Sequence, residues 1–327
     1  MLQPEFIVEP YLSGVRIDSF LVKHLRNFTT WRISRMVAAG LATVNGLPAD
    51  TTQRVFRGQH VRIRLAEPPD KLLDSDEGGV PIVYEDPWLM VVDKPAGMVA
   101  HPVGRFQSGT LTNVLQPHLD QQTASVSLLR AGIVHRLDRM TSGLMAVTKE
   151  HHAHRIISED FQAGRLQKTY IALVEGRVSF KERLIELPIG NRPDGRGVLM
   201  SAKADALRPR HAKTGVTVLQ RRQHVSVIAC RLYTGRNHQI RVHLAELGHP
   251  VLGDELYGPH GTVRSEPQTN SPIPTEKRHA LHAAKLQFRH PILKTALCFA
   301  SSVPPDFYGQ CGASTTMRNA RLAQSCS

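Results

Sequence analysis

Long apolar runs, paired cysteines and acidic balance are what this chain lacks. No stretch of its 327 residues approaches the ~18 consecutive apolar residues of a membrane span. Its N-terminus, MLQPEFIVEPYLSG, has no basic segment leading into an apolar core, so it does not read as a secretion signal, and a cytoplasmic location is expected. The four cysteines, Cys230, Cys298, Cys311 and Cys326, show no CxxC spacing, which argues against a zinc site and against a disulfide framework. There is no internal repeat and no Gly-rich phosphate loop. Acidic residues are outnumbered, 28 against 41 Lys and Arg, giving +13 and a pI of about 10.0. With 41% hydrophobic residues for ordinary cores, that excess points to a polyanionic partner, most simply nucleic acid. A membrane surface would call for a basic amphipathic helix or a lipidation signal, and neither is clear, so no membrane partner is expected.

The length suggests two domains. We expect an N-terminal extension over 1–12, a small module over 13–70, a linker over 71–80, a large domain over 81–308 and a disordered tail over 309–327. In the module, Asp18 is placed to cap a helix running to about Asn27. Thr29 or Thr30 caps a second helix, in which Ile33, Met36 and Val37 share the inner face and Gly40 supplies the stop. Asn45–Gly46 is a hairpin turn between short strands. Lys23, His24, Arg26, Arg32 and Arg35 make either a solvated charged face or an RNA-contacting one. The composition over 66–80, AEPPDKLLDSDEGGV, shifts to Pro, Asp, Glu and Gly.

The large domain reads as strand-rich. Ile82–Asp86 and Leu89–Val92 are apolar runs bounded by turn residues, Lys168–Val174 alternates as a strand, and Val225–Leu232 is another. In the turn after Val92, Lys94 and His101 either touch phosphate or serve the turn. Residues 150–163 and 237–247 have helical patterns, and 190–215 is a loop or weak hairpin. His151, His152 and His154 do not make a metal site, because neighbours at i and i+1 diverge around a helix. No metal or other cofactor is expected.

One stretch stands out chemically. In GIVHRLDRMTSGLMAVTKE, residues 132–150, a carboxylate, Asp138, sits between Arg136 and Arg139 and ahead of a small polar turn, between two short apolar strands. Spacing alone favours an ordinary ion-pair loop over a reactive site. Yet His135–Asp138 followed by Thr141–Gly143 resembles the HRLDxxTSG signature of the RluA-type pseudouridine synthases. Met140 stands where that family usually has Asp. QKTYIALVEG, containing Tyr170, is similar to the family's second motif, and TGRNHQIRVHLAELGHPVLGDELYG to its third motif with the segment after it. HALHAAKLQFRHP also resembles the family. The order Arg16–Asp18, Ser34–Arg35, Gly40–Gly46, Gly58–Gln59 and Val61–Arg64 resembles the S-four-like RNA-binding domain.

The resemblance implies an α+β protein. A small N-terminal RNA-binding domain would precede a catalytic domain with a long, mostly antiparallel mixed sheet and flanking helices. It implies an RNA pseudouridine synthase with Asp138 as the catalytic residue, Arg241 as its partner, Tyr170 in the active site and Leu281 near that tyrosine. RNA contacts are expected from Arg136, Arg139, Arg236 and His238, and from Arg32 and Arg35 in the small domain. The reaction is an isomerisation and needs no cofactor. The expected substrate is 23S ribosomal RNA, acted on by a monomer, with tRNA the alternative. A non-catalytic RNA-binding or ribosome-assembly protein is the rival; it would be expected to lose Asp138, Tyr170 or Arg241. A carboxylate-dependent hydrolase would want a second carboxylate near Asp138, where Met140 stands.

Overall fold

The computed structural model describes residues 3–26, 28–65, 79–103, 106, 108–122, 131–193, 199–264 and 278–309. Residues 71–78 of the expected linker and 310–327 of the expected tail lie outside the described residues.

The N-terminal segment contains β1 (Glu5–Ile7), α1 (Ile17–His24), α2 (Thr30–Ala38), β2 (Ala42–Val44), β3 (Leu47–Pro48) and β4 (His60–Ile63). Its four strands are antiparallel in the order β1-β4-β2-β3. β1 comes from the stretch read as an extension, and it pairs along β4 through Phe6 and Val61. The segment has its own core, including Ile17, Phe20, Leu21, Ile33, Met36, Val61 and Ile63. Of the two threonines considered as caps, Thr29 accepts from the Arg32 N–H at 3.1 Å. Asn45 and Gly46 take φ of 51° and 82°, as a tight hairpin turn requires. Asp18 is not a cap. It lies inside the first turn of α1, where it pairs with Arg16 at 2.6 Å and accepts from the Ser34 hydroxyl of α2 at 3.0 Å. α1 also ends at His24, before Asn27, because Leu25 leaves helical geometry at φ −110°, ψ 71° and the chain turns into α2.

Then follow β5 (Ile82–Glu85), β6 (Leu89–Lys94), α3 (Leu111–Asp120), β7 (Gly132–Ile133), β8 (Ser142–Thr148), α4 (His151–Gln162) and β9 (Gln167–Glu175). Next are β10 (Glu182–Ile185), β11 (Ile189–Asn191), β12 (Met200–Ser201), β13 (Leu207–Arg210), β14 (Thr214–Arg221) and β15 (Val225–Leu232). The chain continues with α5 (Gln239–Glu246), β16 (Leu281–Arg289), β17 (Ala296–Ala300) and α6 (Asp306–Gly309). Ten strands form one sheet along β10-β14-β15-β9-β16-β8-β6-β5, with β17 beside β16 and β7 beside β8. Its described pairings are antiparallel except β8 with β16. The protein is thus α+β with a long mixed sheet. The stretch over 190–215, read as a loop or hairpin, instead carries β11, β12 and β13, which form a separate three-stranded sheet.

By contact density the chain divides into two units. One holds Met1–Val91, Val99–His135 and Ala146–Ser158; the other holds Val92–Met98, Arg136–Met145 and Glu159–Ser327. Among the described residues no helix is long and apolar enough to cross a membrane, and no group of His, Cys, Asp or Glu is arranged to hold a metal ion. Cys298 is disulfide-bonded, a departure from the expectation drawn from the scattered cysteines. Sequence spacing does not limit which sulfurs meet in space.

Candidate active site

The site is built within the second unit, around the loop from Arg136 to Thr141 that leads into β8. The Asp138 carbonyl accepts from Thr141 N–H at 3.0 Å, closing a turn. Two other segments grip the same loop. From the first, the Gly97 amide donates to the Arg139 carbonyl at 2.8 Å and Arg139 Nε returns a bond to the Gly97 carbonyl at 2.9 Å. Lys94 Nζ donates to the carbonyls of Pro95, Met98 and Arg139 at 2.8, 2.9 and 3.3 Å. Lys94 is fully buried, so the phosphate contact considered for it is replaced by a latch on the loop. From the second segment, Arg278 donates to the Met140 carbonyl at 3.2 Å and is held by Asp306. His279 bonds the Thr141 hydroxyl at 2.7 Å, and His282 the Ser142 hydroxyl at 2.9 Å. Gly143, φ 116°, fits because any Cβ would lie 2.4 Å from the Ala283 carbonyl oxygen. The Met140 side chain is buried, and what Arg278 holds is the backbone oxygen, so this contact survives the loss of a carboxylate there.

Asp138 is brought together with Arg241 as expected. Arg241 Nη1 donates to Asp138 Oδ2 at 3.1 Å. The rest of the guanidinium fork is committed elsewhere: Nε and Nη2 donate to the two oxygens of Asp254 at 2.7 and 2.9 Å. Asp254 also accepts from the amides of Leu256 and Tyr257, at 2.9 and 3.2 Å, and the Tyr257 ring lies 5.1 Å from the guanidinium. Arg241 is therefore aimed before it meets Asp138. Burial pushes the Asp138 pKa up, but His238, Arg241 and His279 outweigh it and hold the carboxyl well below its usual range. Burial holds the two histidines themselves down, to about 4 and about 3, so at neutral pH both are uncharged and Arg241 is the working cation. The carboxylate remains partly open, with 21% of its side chain accessible.

Tyr170 lies on β9, opposite Cys230 of β15 and Ala283 of β16. It is buried, and burial together with the Asp138 charge pushes its hydroxyl pKa up, so it stays a neutral phenol. That hydroxyl has no hydrogen-bond partner among the described residues. Leu281 pairs with Ala172, two residues along β9, and so shares the Tyr170 face.

Other expected contact residues are dispersed. Arg136 is exposed, bonded to the Asn237 side chain at 2.9 Å. Arg139 is turned to Gly97, and Arg236 donates to the His211 carbonyl at 2.8 Å. His238 Nε2 lies 4.0 Å from Asp138 Oδ2. In the N-terminal segment, Arg35 lies over the Trp31 ring at 5.0 Å, while Arg32 is buried over Phe28 at 4.6 Å. Asp254, Tyr257 and His279 were not singled out from the sequence, although Asp254 and Tyr257 fall in the motif-bearing stretch ending GDELYG.

Residues 88–246 match the sequence model of a family described as RNA pseudouridylate synthase. A protein of Chlorobaculum parvum, named an uncharacterised RNA pseudouridine synthase, is 36% identical over 90% of this chain and 92% of its own length. The ribosomal large subunit pseudouridine synthase D of Neisseria meningitidis is 35% identical over 91% of this chain and 78% of that one. The solved structure of human RNA pseudouridylate synthase domain containing 1 superposes with a TM-score of 0.53 at 26% identity, covering 72% of this chain and 90% of that one. Similarity at this level, over nearly the whole length of relatives and with the matched segment enclosing Asp138, Tyr170 and Arg241, makes this chain an RNA pseudouridine synthase, an isomerase of uridine in RNA.

Proposed function

We propose that the substrate is 23S ribosomal RNA and that Asp138 is the catalytic residue. The observation that carries the chemical part is a carboxylate held ionised by one N–H of a pre-aimed arginine, yet left partly open. The substrate part is supported by relatives named for the large ribosomal subunit and by the net charge of +13.

The reaction breaks the N1–C1′ bond of uridine, turns the uracil, joins C5 to C1′ and moves the C5 proton away. An ionised carboxylate serves either opening step, attack at ribose C1′ or removal of the 2′ proton. Arg241 gives Asp138 its charge inside an enclosed site. Tyr170, neutral and with a hydroxyl unpartnered among the described residues, stacks on the uracil or shuttles the C5 proton. A uridine in folded RNA must leave the stack to reach these groups, and exposed Arg136 fills its place. Arg139 secures the loop, while Arg236, with Arg35 on the small N-terminal domain, adds contacts along the RNA.

The test is to map pseudouridines in total RNA with and without the gene. Loss at one or a few 23S positions is expected. Loss confined to tRNA would overturn the substrate, and purified Asp138→Asn protein that still converts uridine at the wild-type rate would overturn the residue.

A further inference from the structure

His238 has a geometry that the reaction as described leaves unused. It sits at the entry to α5 with φ 54° and ψ 20°, a left-handed conformation that residues with a Cβ seldom adopt, so the surroundings fix it. Its ring is fixed as well. Nδ1 lies 2.7 Å from the Tyr257 hydroxyl, and that oxygen already accepts from the Met200 amide at 3.0 Å. The Tyr257 proton therefore goes to Nδ1, because a second donor there would leave it without an acceptor. This assigns the ring proton to Nε2, the nitrogen facing Asp138. The opposite tautomer would turn a lone pair toward a carboxylate.

The charged and titratable groups around the ring are Asp138, Arg241, Asp254, Arg136 and Tyr257, with His279 close by. Burial, Arg241 and Arg136 outweigh Asp138 and Asp254 and keep the imidazole neutral at neutral pH. His238 thus offers one N–H and no charge, and does not compete with Arg241 for the carboxylate.

The 4.0 Å between Nε2 and Asp138 Oδ2 is too long for a direct hydrogen bond. It suits a shared hydroxyl: an oxygen about 2.8 Å from each atom would accept from Nε2 and donate to the carboxylate. On a target nucleotide whose C1′ or 2′ proton is presented to Asp138, the nearest hydroxyl is the ribose 2′-OH, carried by C2′. We infer that His238 recognises the 2′-hydroxyl of the target nucleotide and so makes the site specific for ribose. The inference rests on Asp138 being the reacting group. The 2′-OH is the group by which a protein tells RNA from DNA at a given position.

The experiment uses the full chain and a synthetic RNA fragment around whichever uridine the mapping identifies. That one nucleotide carries either ribose or 2′-deoxyribose. Single-turnover kcat/KM is measured for the wild type, His238→Ala and His238→Gln, with Asp138→Asn as control. For substrates too slow to follow, the affinities of Asp138→Asn and of Asp138→Asn with His238→Ala give the same comparison. Deoxyribose should cost the wild type about tenfold, one hydrogen bond's worth, and His238→Ala less than about twofold. Any intrinsic effect of the sugar cancels between the two enzymes. His238→Gln, which keeps a donor, should recover part of the discrimination. Where alanine does not fold, His238→Gly replaces it, since glycine has no donor and takes the left-handed backbone freely. An equal deoxyribose penalty in the wild type and the variant overturns the inference, as does a wild type indifferent to the sugar. Failure of Asp138 as the reacting group shows separately, as an active Asp138→Asn control.

Discussion

Asp138 carries its charge because Arg241 keeps Nη1 for it after Nε and Nη2 have been committed to Asp254. Replacing Arg241 by Met strips two carboxylates of their cation at once, and breaking a buried pair of this kind costs about 3–5 kcal/mol. The Asp138 pKa should then rise, since burial is no longer opposed by that cation. The acid limb of the pH–rate profile should move to higher pH; an unmoved limb would show that Arg241 does not set the charge. The same groups govern acid stability. Asp254 is pushed up by burial but pulled by Arg241 to about 2, from an ordinary 3.8. A lowered folded pKa gives stability present above the unfolded value and lost as pH falls through the folded one. Unfolding free energy should therefore decline between about pH 4 and about pH 2, and that slope should be shallower in Asp254→Asn when measured by denaturant titration. For Tyr170→Phe, fold and base stacking should persist while any step needing the hydroxyl slows; full single-turnover activity would leave Tyr170 only a packing role. At this scale the sequence was legible where motifs mark residues. Asp138, Tyr170 and Arg241 came from their resemblance, whereas Asp254 is one of two adjacent acids in a loop, and nothing local to it signals that its partner lies 13 residues back.

The loop that carries Asp138 is shaped by two neighbouring segments. The three carbonyls around Lys94 match the three N–H groups of an ammonium, although burial draws its pKa down to about 7. Lys94→Met keeps the bulk and takes the donor from the Pro95 and Met98 carbonyls, at about 1–3 kcal/mol for each one left unsatisfied, while the Arg139 carbonyl keeps the Gly97 amide. The variant should melt lower and turn over more slowly, with unchanged salt dependence of RNA affinity. A flatter salt dependence with normal turnover would instead place Lys94 on phosphate. Elements were legible to the extent that burial followed a period. β15 runs Val225–Leu232 as expected, and β9 extends the strand expected from alternation by a residue at each end. α5 shows why side-chain roles were less legible. Gln239 through Ala245 are all buried, so no polar face distinguishes inside from outside. Its Gln239, Arg241 and His243 are buried because each finds partners on distant strands and loops, such as Thr214 for Gln239 and His243. The three-stranded β11–β13 sheet was missed for a related reason: its strands are two to four residues long, too short for alternation to appear.

Across the whole molecule, the excess of positive charge should act on affinity, with the chemistry confined to the unit that holds Asp138, Tyr170 and Arg241. The N-terminal segment has a separate core, and its second helix presents Trp31, 61% exposed, beside the Arg35 guanidinium. Arg32, expected as an equal partner, is buried over Phe28, so reversing its charge would damage packing rather than report on RNA. The informative change is therefore Arg35→Glu in the full chain. Each phosphate neutralised contributes about 0.9 to the slope of log affinity against log salt on duplex DNA, and RNA should behave comparably. Losing the Arg35 contact should lower affinity for 23S ribosomal RNA and reduce that slope by about one. Deleting residues 1–75 should do the same to a greater degree. Single-turnover conversion at saturating RNA should stay within about tenfold of wild type for both, because binding lost equally from ground and transition states leaves the saturated rate alone. Unchanged affinity and slope in both proteins would show that the segment does not clamp RNA. A folded Arg35→Glu protein with normal affinity but no saturating turnover would show the opposite division, in which the N-terminal domain builds the reactive complex and the charge it carries is part of the chemistry.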